Sequence, residues 1–523
     1  MTPAVSYALA SDAEATRAQL DALVAMEAGT RIRAADPTLW SDDTATQAAI
    51  RNRLGWVTVA GSGDYAAVEP ADQDVLLLGM GGSSLGAAAL ASAFGVRDRL
   101  RVLDSTLPAA VGGAGEGASI SDVVVASKSG STIETDAFAR FFESRRPECR
   151  FHAITDPGSA LERRAGEVSY AACHLNRADI GGRFSVLSNF GLVPAQLAGI
   201  DVAPLLGHAQ EMARRCAGTD DTNPGLRLGA ALAAAAAAGR VLTLVAQPGL
   251  EDFAAWIEQL VAESTGKAGT GLVPVLGEDA ASRALFPDRR LYVSLAWSEA
   301  ERPADTPEGA AAIRFVIDGP AALGAELYRW QFAVAAACVR LGVNPFDEPD
   351  VAAAKQQTAA VLTALEAEGT FPTESPEWRS DDCSWYADAA GTPRNFVHEV
   401  GPGDYFAVLA YLPESPELAA AVGRLRSVLG RHAPVALGWG PRYLHSSGQL
   451  YKGGPPSGRF IVITADDVED LAVPGSAWTF GNLARAQALG DYRALRARGL
   501  PAARLHLEGE KLAALAAAAG ILT

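Results

Sequence analysis

The sequence contains few cysteines and no long apolar run. Its 523 residues include five cysteines, which are scattered, odd in number and without Cys-x-x-Cys spacing. This usage predicts neither a disulfide framework nor a zinc site, and it favours a reducing compartment. No apolar segment approaches the ~20 residues that cross a bilayer, so a membrane protein is not expected.

Basic residues are also few relative to acidic residues. The 44 lysines and arginines are outnumbered by 61 aspartates and glutamates, which gives a net charge of −17. Nucleic-acid binding depends on clustered cations, so a polyanionic partner is not expected. The N-terminal stretch lacks a basic segment followed by an apolar core and does not resemble a signal peptide. We therefore expect a cytoplasmic protein that holds any anionic ligand with local groups.

The length predicts two large domains rather than one core. From residue 74, short apolar runs that end in Gly or Ser alternate with helical spacing, which is typical of a doubly wound parallel sheet. We predict an α/β protein with two such three-layer (αβα) domains and helical extensions at both ends. The predicted segments are a helical extension at 1–60, a first domain at 61–222, a second domain at 223–368, a loop or insertion at 369–404, a continuation of the second domain at 405–470 and a helical segment at 471–523.

Several apolar runs in the second half of the chain predict strands. They lie at 241–247, 291–297, 312–318, 405–412, 434–440 and 459–464. The alanine tract from Ala230 to Ala238 precedes the first of them. Because Ala is the best helix former, the tract predicts a closely packed helix rather than disorder.

The first candidate ligand loop, GMGGSSLG from Gly79 to Gly86, lies between an apolar strand and an Ala-rich helix. Glycines let the backbone approach an anion, and a helix N-terminus offers free N–H groups. The loop lacks the Lys-Ser/Thr ending of a P-loop and a regular dinucleotide fingerprint, so neither a nucleoside triphosphate nor NAD is indicated. For this loop alone, a tight turn without a ligand is an equal alternative.

The second loop, SKSGST from Ser127 to Thr132, also follows a strand and precedes a helix. Five of its six residues offer hydroxyl or ammonium donors. This density suits a phosphate monoester better than an ordinary serine cap. Loops in consecutive βα units converge at the carboxyl ends of a parallel sheet, so the two loops predict a shared phosphate site.

Three further segments extend this pattern along the chain. They are GGRFS from Gly181 to Ser185, ESTGK from Glu263 to Lys267, and NPFDEPDVAAAK from Asn344 to Lys355. Together with the two loops they resemble, in order, the signatures of phosphoglucose isomerases, a family with the sugar-isomerase (SIS) fold. The resemblance covers about residues 75–360, and both ends look most like the isomerase half of bifunctional transaldolase–phosphoglucose isomerases. It implies two SIS-type domains and reversible isomerisation of glucose 6-phosphate and fructose 6-phosphate.

The third of these segments departs from the family pattern at two positions. Glu348 stands where the family has Gln, and Ala352 stands where an acidic residue precedes Lys355 by three positions. Glu348 followed by Pro349 resembles the transaldolase-linked subgroup, which implies that activity need not be lost.

The ring-opening His of the family lies between its catalytic Glu and its Lys segment. Here no His occurs between His208 and His398. The closest match, LHSSGQ with His445 and Gln449, comes after Lys355. Either the order of the motifs is rearranged, or another group opens the ring.

The resemblance assigns roles that the chemistry requires. Moving a carbonyl from C1 to C2 needs a base for the C2 proton, and Glu263 is the candidate. Arg183 would stabilise the enediolate, with an ordinary ion pair to Asp179 as the alternative. Lys355 and His445 would open the closed sugar ring. This scheme needs no metal and no cofactor.

Further positions are predicted to bind the substrate. They are Gly82, Ser83, Ser127, Lys128, Ser129, Thr132, Gly182, Glu348 and Gln449. The serines and the threonine of this set would hold the 6-phosphate, whereas Lys128 would face the sugar.

Other functions and partners stay open. A dual phosphoglucose/phosphomannose isomerase would share the base and the loops, and a non-catalytic sugar-phosphate regulator would need the loops but no base. A chain derived from a bifunctional enzyme is a third alternative. The expected ligand is a hexose 6-phosphate. A second copy of the chain, or transaldolase in the same pathway, is the protein partner that the resemblance allows.

Overall fold

The protein is described by a computed structural model over residues 4–9, 12–298, 306–372, 374–387, 391–466 and 469–523. The strands are β1 (Ala4–Ala8), β2 (Asp74–Gly79), β3 (Leu100–Leu103), β4 (Ile120–Ala126), β5 (Arg150–Thr155), β6 (Ala172–Leu175), β7 (Val241–Ala246), β8 (Val273–Leu276), β9 (Arg290–Ala296), β10 (Ala312–Val316), β11 (Trp378–Arg379), β12 (Cys383–Tyr386), β13 (Tyr405–Ala410), β14 (Val435–Trp439), β15 (Gly458–Ala465) and β16 (Ala502–Leu507).

The helices separate most of these strands. They are α1 (Ala13–Ala25), α2 (Ala28–Arg33), α3 (Thr44–Arg51), α4 (Trp56–Ser62), α5 (Leu85–Ala93), α6 (Pro108–Gly113), α7 (Ile133–Arg145), α8 (Ala160–Glu167), α9 (Asn189–Leu197), α10 (Val202–Cys216), α11 (Pro224–Ala237), α12 (Glu251–Thr265), α13 (Ala280–Arg283), α14 (Leu323–Leu341), α15 (Val351–Glu368), α16 (Pro393–His398), α17 (Pro416–Leu429), α18 (Gly448–Gly453), α19 (Phe480–Ala497) and α20 (Lys511–Ile521). Among the described helices, none is both long enough and apolar enough to traverse a lipid bilayer.

The first sheet has the strand order β3-β2-β4-β5-β6, and all of its neighbouring strands are parallel. Side chains on β2 alternate between its two faces, as the period of a strand requires. Val75 and Leu77 belong to the core formed with α5 and α9, whereas Leu76 and Leu78 belong to the core formed with α6, α7 and α8. Helices therefore cover both faces, which confirms the predicted α/β class with a three-layer, doubly wound sheet.

The second sheet has the order β1-β10-β9-β7-β8. Its strands are parallel except for β1, which runs antiparallel to β10. The alanine tract forms most of α11, which packs against α14 so closely that a Cβ on Gly229 would lie 2.7 Å from the Ala333 carbonyl oxygen. Small side chains allow this approach, and the predicted packed helix is confirmed.

A third sheet contains the strands that are predicted within residues 405–470. β13, β14 and β15 lie at the predicted positions, but they join β11, β12 and β16 in the order β11-β12-β16-β15-β13-β14. Hydrophobic patterns in the sequence show which residues form strands but not which strands pair, because pairing depends on contacts between distant segments. The six residues of β13 are all buried, as expected for a central strand with helices on both faces.

Three predicted segments contain more structure than expected. The helical extension at 1–60 includes β1, and its residues 1–3 and 10–11 lie outside the described chain. The loop at 369–404 contains β11, β12 and α16, with residues 373 and 388–390 outside the description. The helical segment at 471–523 includes β16, which pairs parallel with β15. Arg504 and His506 interrupt the apolar pattern of β16 and hide it in the sequence.

Candidate active site

The two predicted ligand loops lie side by side at the carboxyl ends of neighbouring parallel strands. β2 ends at Gly79, which is in register with Ala126, the last residue of β4. The first loop then forms a short 3-10 helix from Gly81 to Ser83 before α5 begins, and the second loop ends at Thr132 before α7 begins. This arrangement follows from strand adjacency, since parallel strands bring their following loops to one edge.

The first loop contacts the GGR segment through glycine backbones. A Cβ on Gly82 would lie 2.2 Å from the carbonyl carbon and oxygen of Gly182 and 2.7 Å from the backbone nitrogen of Arg183. Only a residue without a side chain permits this approach. The contact places Arg183 beside the first loop.

Replacing Gly82 by Ala should therefore disturb the packing of the two loops. We expect Gly82→Ala to lower the free energy of unfolding by about 1–3 kcal/mol, the usual cost of overpacking. Gly182→Ala is the matched control, because a Cβ on Gly182 meets no atom within 4 Å. Denaturant unfolding of both variants measures the difference, and equal stabilities would contradict the contact.

The hydroxyl groups of the second loop bond mainly to one another. Ser127 Oγ lies 3.2 Å from Thr132 Oγ1 and accepts a hydrogen bond from the Gly130 N–H (3.1 Å). Ser129 Oγ lies 2.9 Å from Ser131 Oγ. Ser83 of the first loop is partly exposed. The second loop thus presents hydroxyl groups at the sheet edge, where an anion could take over their hydrogen bonds.

The Lys128 side chain binds residues outside its own loop. Its ammonium group forms an ion pair with Asp156 and donates to the Ala178 carbonyl (2.9 Å). Its side chain is 23% exposed. To face a sugar, as predicted, Lys128 would have to break its ion pair with Asp156.

Arg183 and Glu263 form the centre of the site. Arg183 Nη1 lies 3.1 Å from Glu263 Oε1 and 3.1 Å from Glu348 Oε2. Arg183 is 4% exposed, whereas the Glu348 side chain is half exposed. Asp179, the alternative partner, binds the Arg177 guanidinium instead, at 3.0 and 2.7 Å.

The remaining nitrogen atoms of Arg183 fix its orientation. Nε donates to Ser264 Oγ (3.0 Å), and Nη2 donates to the backbone carbonyls of Pro345 (2.7 Å) and Asp347 (2.8 Å). The guanidinium thus joins the GGR segment, the segment of Glu263 and the segment of Glu348. These three predicted motifs meet at one cation.

The surroundings of Glu263 act on its pKa in opposite directions. Burial raises the pKa of this carboxyl, the Arg183 guanidinium lowers it, and the Glu348 carboxylate raises it again. The net pKa lies above the usual value, because desolvation disfavours the charged form more than the cation favours it. Burial alone would lower the pKa of Arg183, but Glu263 and Glu348 raise it above its usual value.

Lys267 was not predicted as a site residue, although it ends the ESTGK motif. Its ammonium group binds the backbone carbonyls of Asn344 and Asp347 and the Asp347 carboxylate (2.7 Å). Burial and the nearby Arg183 cation lower its pKa. Lys267 therefore anchors the segment that leads to Glu348.

His445 lies near Glu263 in space although its motif comes late in the sequence. Gln259 Nε2 donates to Glu263 Oε2 (3.1 Å) and to the His445 carbonyl (2.9 Å). Gln259 precedes Glu263 by four residues on α12, so both project from the same face of the helix. One buried amide thereby ties the carboxylate of Glu263 to the loop of His445.

The His445 ring is bound to an acid that sequence reasoning missed. His445 Nε2 lies 2.8 Å from Glu134 Oε1, which also accepts from Gln487 Nε2 (2.7 Å). Burial raises the pKa of Glu134, but the charge and hydrogen bond of His445, with Lys355 nearby, bring it below the usual value. No local signal marks Glu134, because its partner is 311 positions away.

Lys355 and His445 line one cavity of about 410 Å³, together with Thr132 of the second loop. Lys355 is exposed and lies in the first turns of α15. The cavity therefore brings together both predicted ring-opening residues and one predicted phosphate ligand. Glu263 and Arg183 lie outside the lining of this cavity and are connected to it through Gln259.

Gln449, which is predicted to bind substrate, is fully buried, and its amide is bound within the protein. Nε2 donates to the Gly266 carbonyl (2.9 Å) and to Asp350 Oδ2 (2.6 Å), and Oε1 accepts from the Asp350 N–H (2.9 Å). Gln449 thus holds the start of α15 against the loop after α12.

The fold and this site define an α/β protein with a ligand site at the carboxyl ends of parallel strands. No family model matches the chain. It is 35% identical over 216 residues to a probable glucose-6-phosphate isomerase of Haloquadratum walsbyi, which covers 38% of this chain and 49% of that protein. It is 29% identical over 366 residues to a glucose-6-phosphate isomerase of Symbiobacterium thermophilum, which covers 56% of this chain and 80% of that protein.

These matches confirm the predicted resemblance to phosphoglucose isomerases. The chain spans about half the length of several curated relatives that it matches. Its fold is similar to that of a hypothetical protein from Thermus thermophilus, with a TM-score of 0.55, 21% identity, and coverage of 69% of this chain and 100% of the other.

Proposed function

We propose that this protein interconverts glucose 6-phosphate and fructose 6-phosphate through an enediolate intermediate. The observation that carries the proposal is the buried contact of 3.1 Å between Glu263 and Arg183. A carboxylate and a guanidinium at one point supply a base and a group that stabilises the resulting anion. The glucose-6-phosphate isomerases that resemble this chain support the same reaction.

Glu263 would transfer the proton between C2 and C1 of the open-chain sugar. A general base works best when its pKa lies near the operating pH, and burial raises the pKa of Glu263 towards that range. Arg183 keeps the carboxylate form accessible. As negative charge develops on the substrate oxygens, the same fixed guanidinium would stabilise it without reorganisation.

His445 and Lys355 would open the closed ring from the shared cavity. Ring opening needs a donor to the ring oxygen and an acceptor for the anomeric proton. Glu134 engages Nε2 of His445, while Nδ1 has no hydrogen-bond partner among the described residues. Glu134 would thus hold the imidazole in place and leave one ring nitrogen for the sugar.

The two loops would bind the 6-phosphate. Ser127, Ser129 and Thr132 of the second loop and Ser83 of the first offer hydroxyl donors near helix N-termini, where the helix dipole favours an anion. The substrate anion would replace the hydrogen bonds that the hydroxyl groups of the second loop now make with each other. Local donors are required because the protein as a whole carries a net charge of −17.

We further infer a cytoplasmic location and a site formed by one chain. All five cysteines are free thiols, as suits a reducing compartment. The described groups that would act on the sugar, from Arg183 to His445, belong to a single chain.

A coupled assay tests the proposed function. Purified protein is mixed with fructose 6-phosphate, and glucose 6-phosphate is followed by its oxidation with a specific dehydrogenase. Mannose 6-phosphate, coupled through its own conversion to fructose 6-phosphate, is assayed in parallel. Turnover of fructose 6-phosphate supports the isomerase, and turnover of both supports the dual-specificity alternative. Binding without turnover of either substrate would refute catalysis and indicate a regulator.

Glu348 should influence the pH dependence of this reaction. It shares Arg183 Nη1 with Glu263, and its negative charge raises the pKa of Glu263. In Glu348→Gln the pKa of Glu263 should fall. Because the base acts in its ionised form, the acidic limb of the kcat/KM profile should then move to lower pH.

The measurement is a pH–rate profile of wild type and Glu348→Gln. Since Glu348 is half exposed, kcat at the optimum should change by no more than about fivefold, which corresponds to ~1 kcal/mol. Glu368→Gln, a change at an exposed carboxyl at the C-terminal end of α15, is the charge-matched control. If the acidic limb of the Glu348→Gln profile moves to higher pH instead, Glu263 and Glu348 do not share Arg183 as described.

A further inference from the structure

A cavity separate from the candidate active site lies behind the helix of Glu263. It has a volume of about 480 Å³ and is bounded by α5, α12, α17 and β14. Tyr443 and Ser446, which flank His445, also line it. The size falls within the range of pockets that hold small metabolites, roughly 300–1,000 Å³.

The cavity contains an arginine that forms no ion pair within the described part of the chain. Arg426 is 3% exposed and lines the cavity. Its Nε and Nη2 both donate to the Val435 carbonyl, whereas Nη1 has no hydrogen-bond partner among the described residues. The nearby Glu278 carboxylate is already bound to Arg290, at 2.6 Å. Glu278 and Glu258 act on Arg426 from beyond ion-pair distance, so Nη1 stays available to donate to a bound anion.

Glu258 faces Arg426 from α12. It also lines the cavity and makes no hydrogen bond or ion pair within the described part of the chain. Burial raises the pKa of Glu258 to about 7, although Arg426 and Arg442 act to lower it. Near pH 6 this carboxyl is therefore mostly neutral and can donate its O–H.

The three other acids of the cavity form ion pairs with two arginines. Arg442 binds Asp104 (2.8 Å) and Glu414 (3.0 Å). Arg97 binds Asp252 (3.1 Å). The unpaired groups that remain on the lining are thus one cationic donor, Arg426, and one titrating carboxyl.

We propose that this cavity binds a small oxyanion, a carboxylate or a phosphate ester, between Arg426 and the carboxyl of Glu258. Two nitrogen atoms of Arg426 are held by one carbonyl, so the free nitrogen is fixed before the ligand arrives. A guanidinium forms its strongest hydrogen bonds with anionic oxygens, and a neutral carboxyl adds a second donor. The site is independent of the proposed isomerase function.

Affinity at this site should depend on pH. As pH rises through about 7, Glu258 loses its proton, and its negative charge then repels the ligand. Well above that pH the affinity should fall by up to about tenfold per pH unit. The charged groups around Glu258 are Arg97, Arg426, Arg442, Asp104, Asp252 and Glu414. These six groups are arginines or acids bound to arginines, and the buried Tyr451 hydroxyl also lies within electrostatic reach of Glu258.

Isothermal titration with sulfate tests the proposal, since sulfate does not titrate between pH 6 and 8. The phosphate-type loops are also expected to take sulfate, so wild type should bind two ions per chain at pH 6. Arg426→Met should lose one of them or bind it at least about tenfold more weakly. Ser127→Ala should instead weaken the other ion. The proposal is wrong if wild type and Arg426→Met bind the same number of ions with equal affinity.

Glu258→Gln provides a second test that does not remove the contact between Arg426 and Val435. Gln keeps an N–H donor but cannot ionise, so sulfate binding at pH 6 should persist and its weakening towards pH 8 should disappear. An unchanged pH dependence in Glu258→Gln would overturn the role of this carboxyl. Malonate in place of sulfate shows whether the cavity prefers planar carboxylates or tetrahedral oxyanions.

Discussion

Replacing Glu263 by Gln is expected to lower kcat for fructose 6-phosphate about 10³-fold, within the range that general-base catalysis supplies. Gln has nearly the same size and can still contact Arg183 and Gln259, so the fold should be retained. It cannot accept a proton from carbon. Substrate binding through the loops should be nearly unchanged, and KM should therefore change little.

The loss should appear in proton exchange as well as in turnover. In deuterated water, wild type should exchange the C2 hydrogen of glucose 6-phosphate during isomerisation, which NMR detects, and Glu263→Gln should not. Glu251→Gln is the matched control, because Glu251 lies on the same helix and bonds to the Gly249 N–H at the helix start. If Glu263→Gln retains more than about a tenth of wild-type exchange, Glu263 is not the base.

Arg183→Lys is expected to have the second large effect. Lys keeps the positive charge but cannot donate at once to Ser264, to two backbone carbonyls and to Glu263, because it lacks the planar fork of a guanidinium. We expect kcat to fall about 10²–10³-fold, the usual cost of losing a fixed electrostatic donor. The free energy of unfolding should fall by about 1–3 kcal/mol, because buried carbonyls lose their partners.

The pH profile distinguishes a catalytic effect of Arg183→Lys from a general loss of stability. The guanidinium lowers the pKa of Glu263, so its replacement by a more distant cation should raise that pKa and move the acidic limb of kcat/KM to higher pH. The direction is opposite to that expected for Glu348→Gln. Arg424→Lys on the exposed face of α17 is the control. Unchanged turnover with reduced stability would leave Arg183 a structural residue only.

Comparison of the motifs with their positions shows what local pattern could predict. The strand, loop and helix around Ser127 are visible in the sequence, because an apolar run, a hydroxyl-rich turn and helical spacing are all local features. Gln259 could also have been found, since it lies four residues before Glu263 on one helical face. The partners of Lys128 and Gln449 could not, because both bind residues from distant segments.

The organisation of the sheets shows the same division. β13, β14 and β15 lie where their apolar runs predict strands, but they belong to a third sheet that no local sequence pattern predicted. The edge strand β11 and the strands β12 and β16 complete that sheet, and both β12 and β16 carry polar residues that weaken their strand signal. Register and neighbours are set by packing over long separations, which a periodicity does not encode.

By itself the sequence determined the α/β class, the two anion-type loops, and the motifs that carry Arg183 and Glu263, since each depends on residues that are close along the chain. Only the tertiary structure decided that Arg183 forms ion pairs with both Glu263 and Glu348 and that Glu134 binds the His445 ring. It also decided that the late His motif lies beside the site, where Gln259 donates a hydrogen bond to the His445 carbonyl. The physical reason is that hydrogen bonds and ion pairs depend on distance in space, and folding brings together groups that the order of motifs keeps apart.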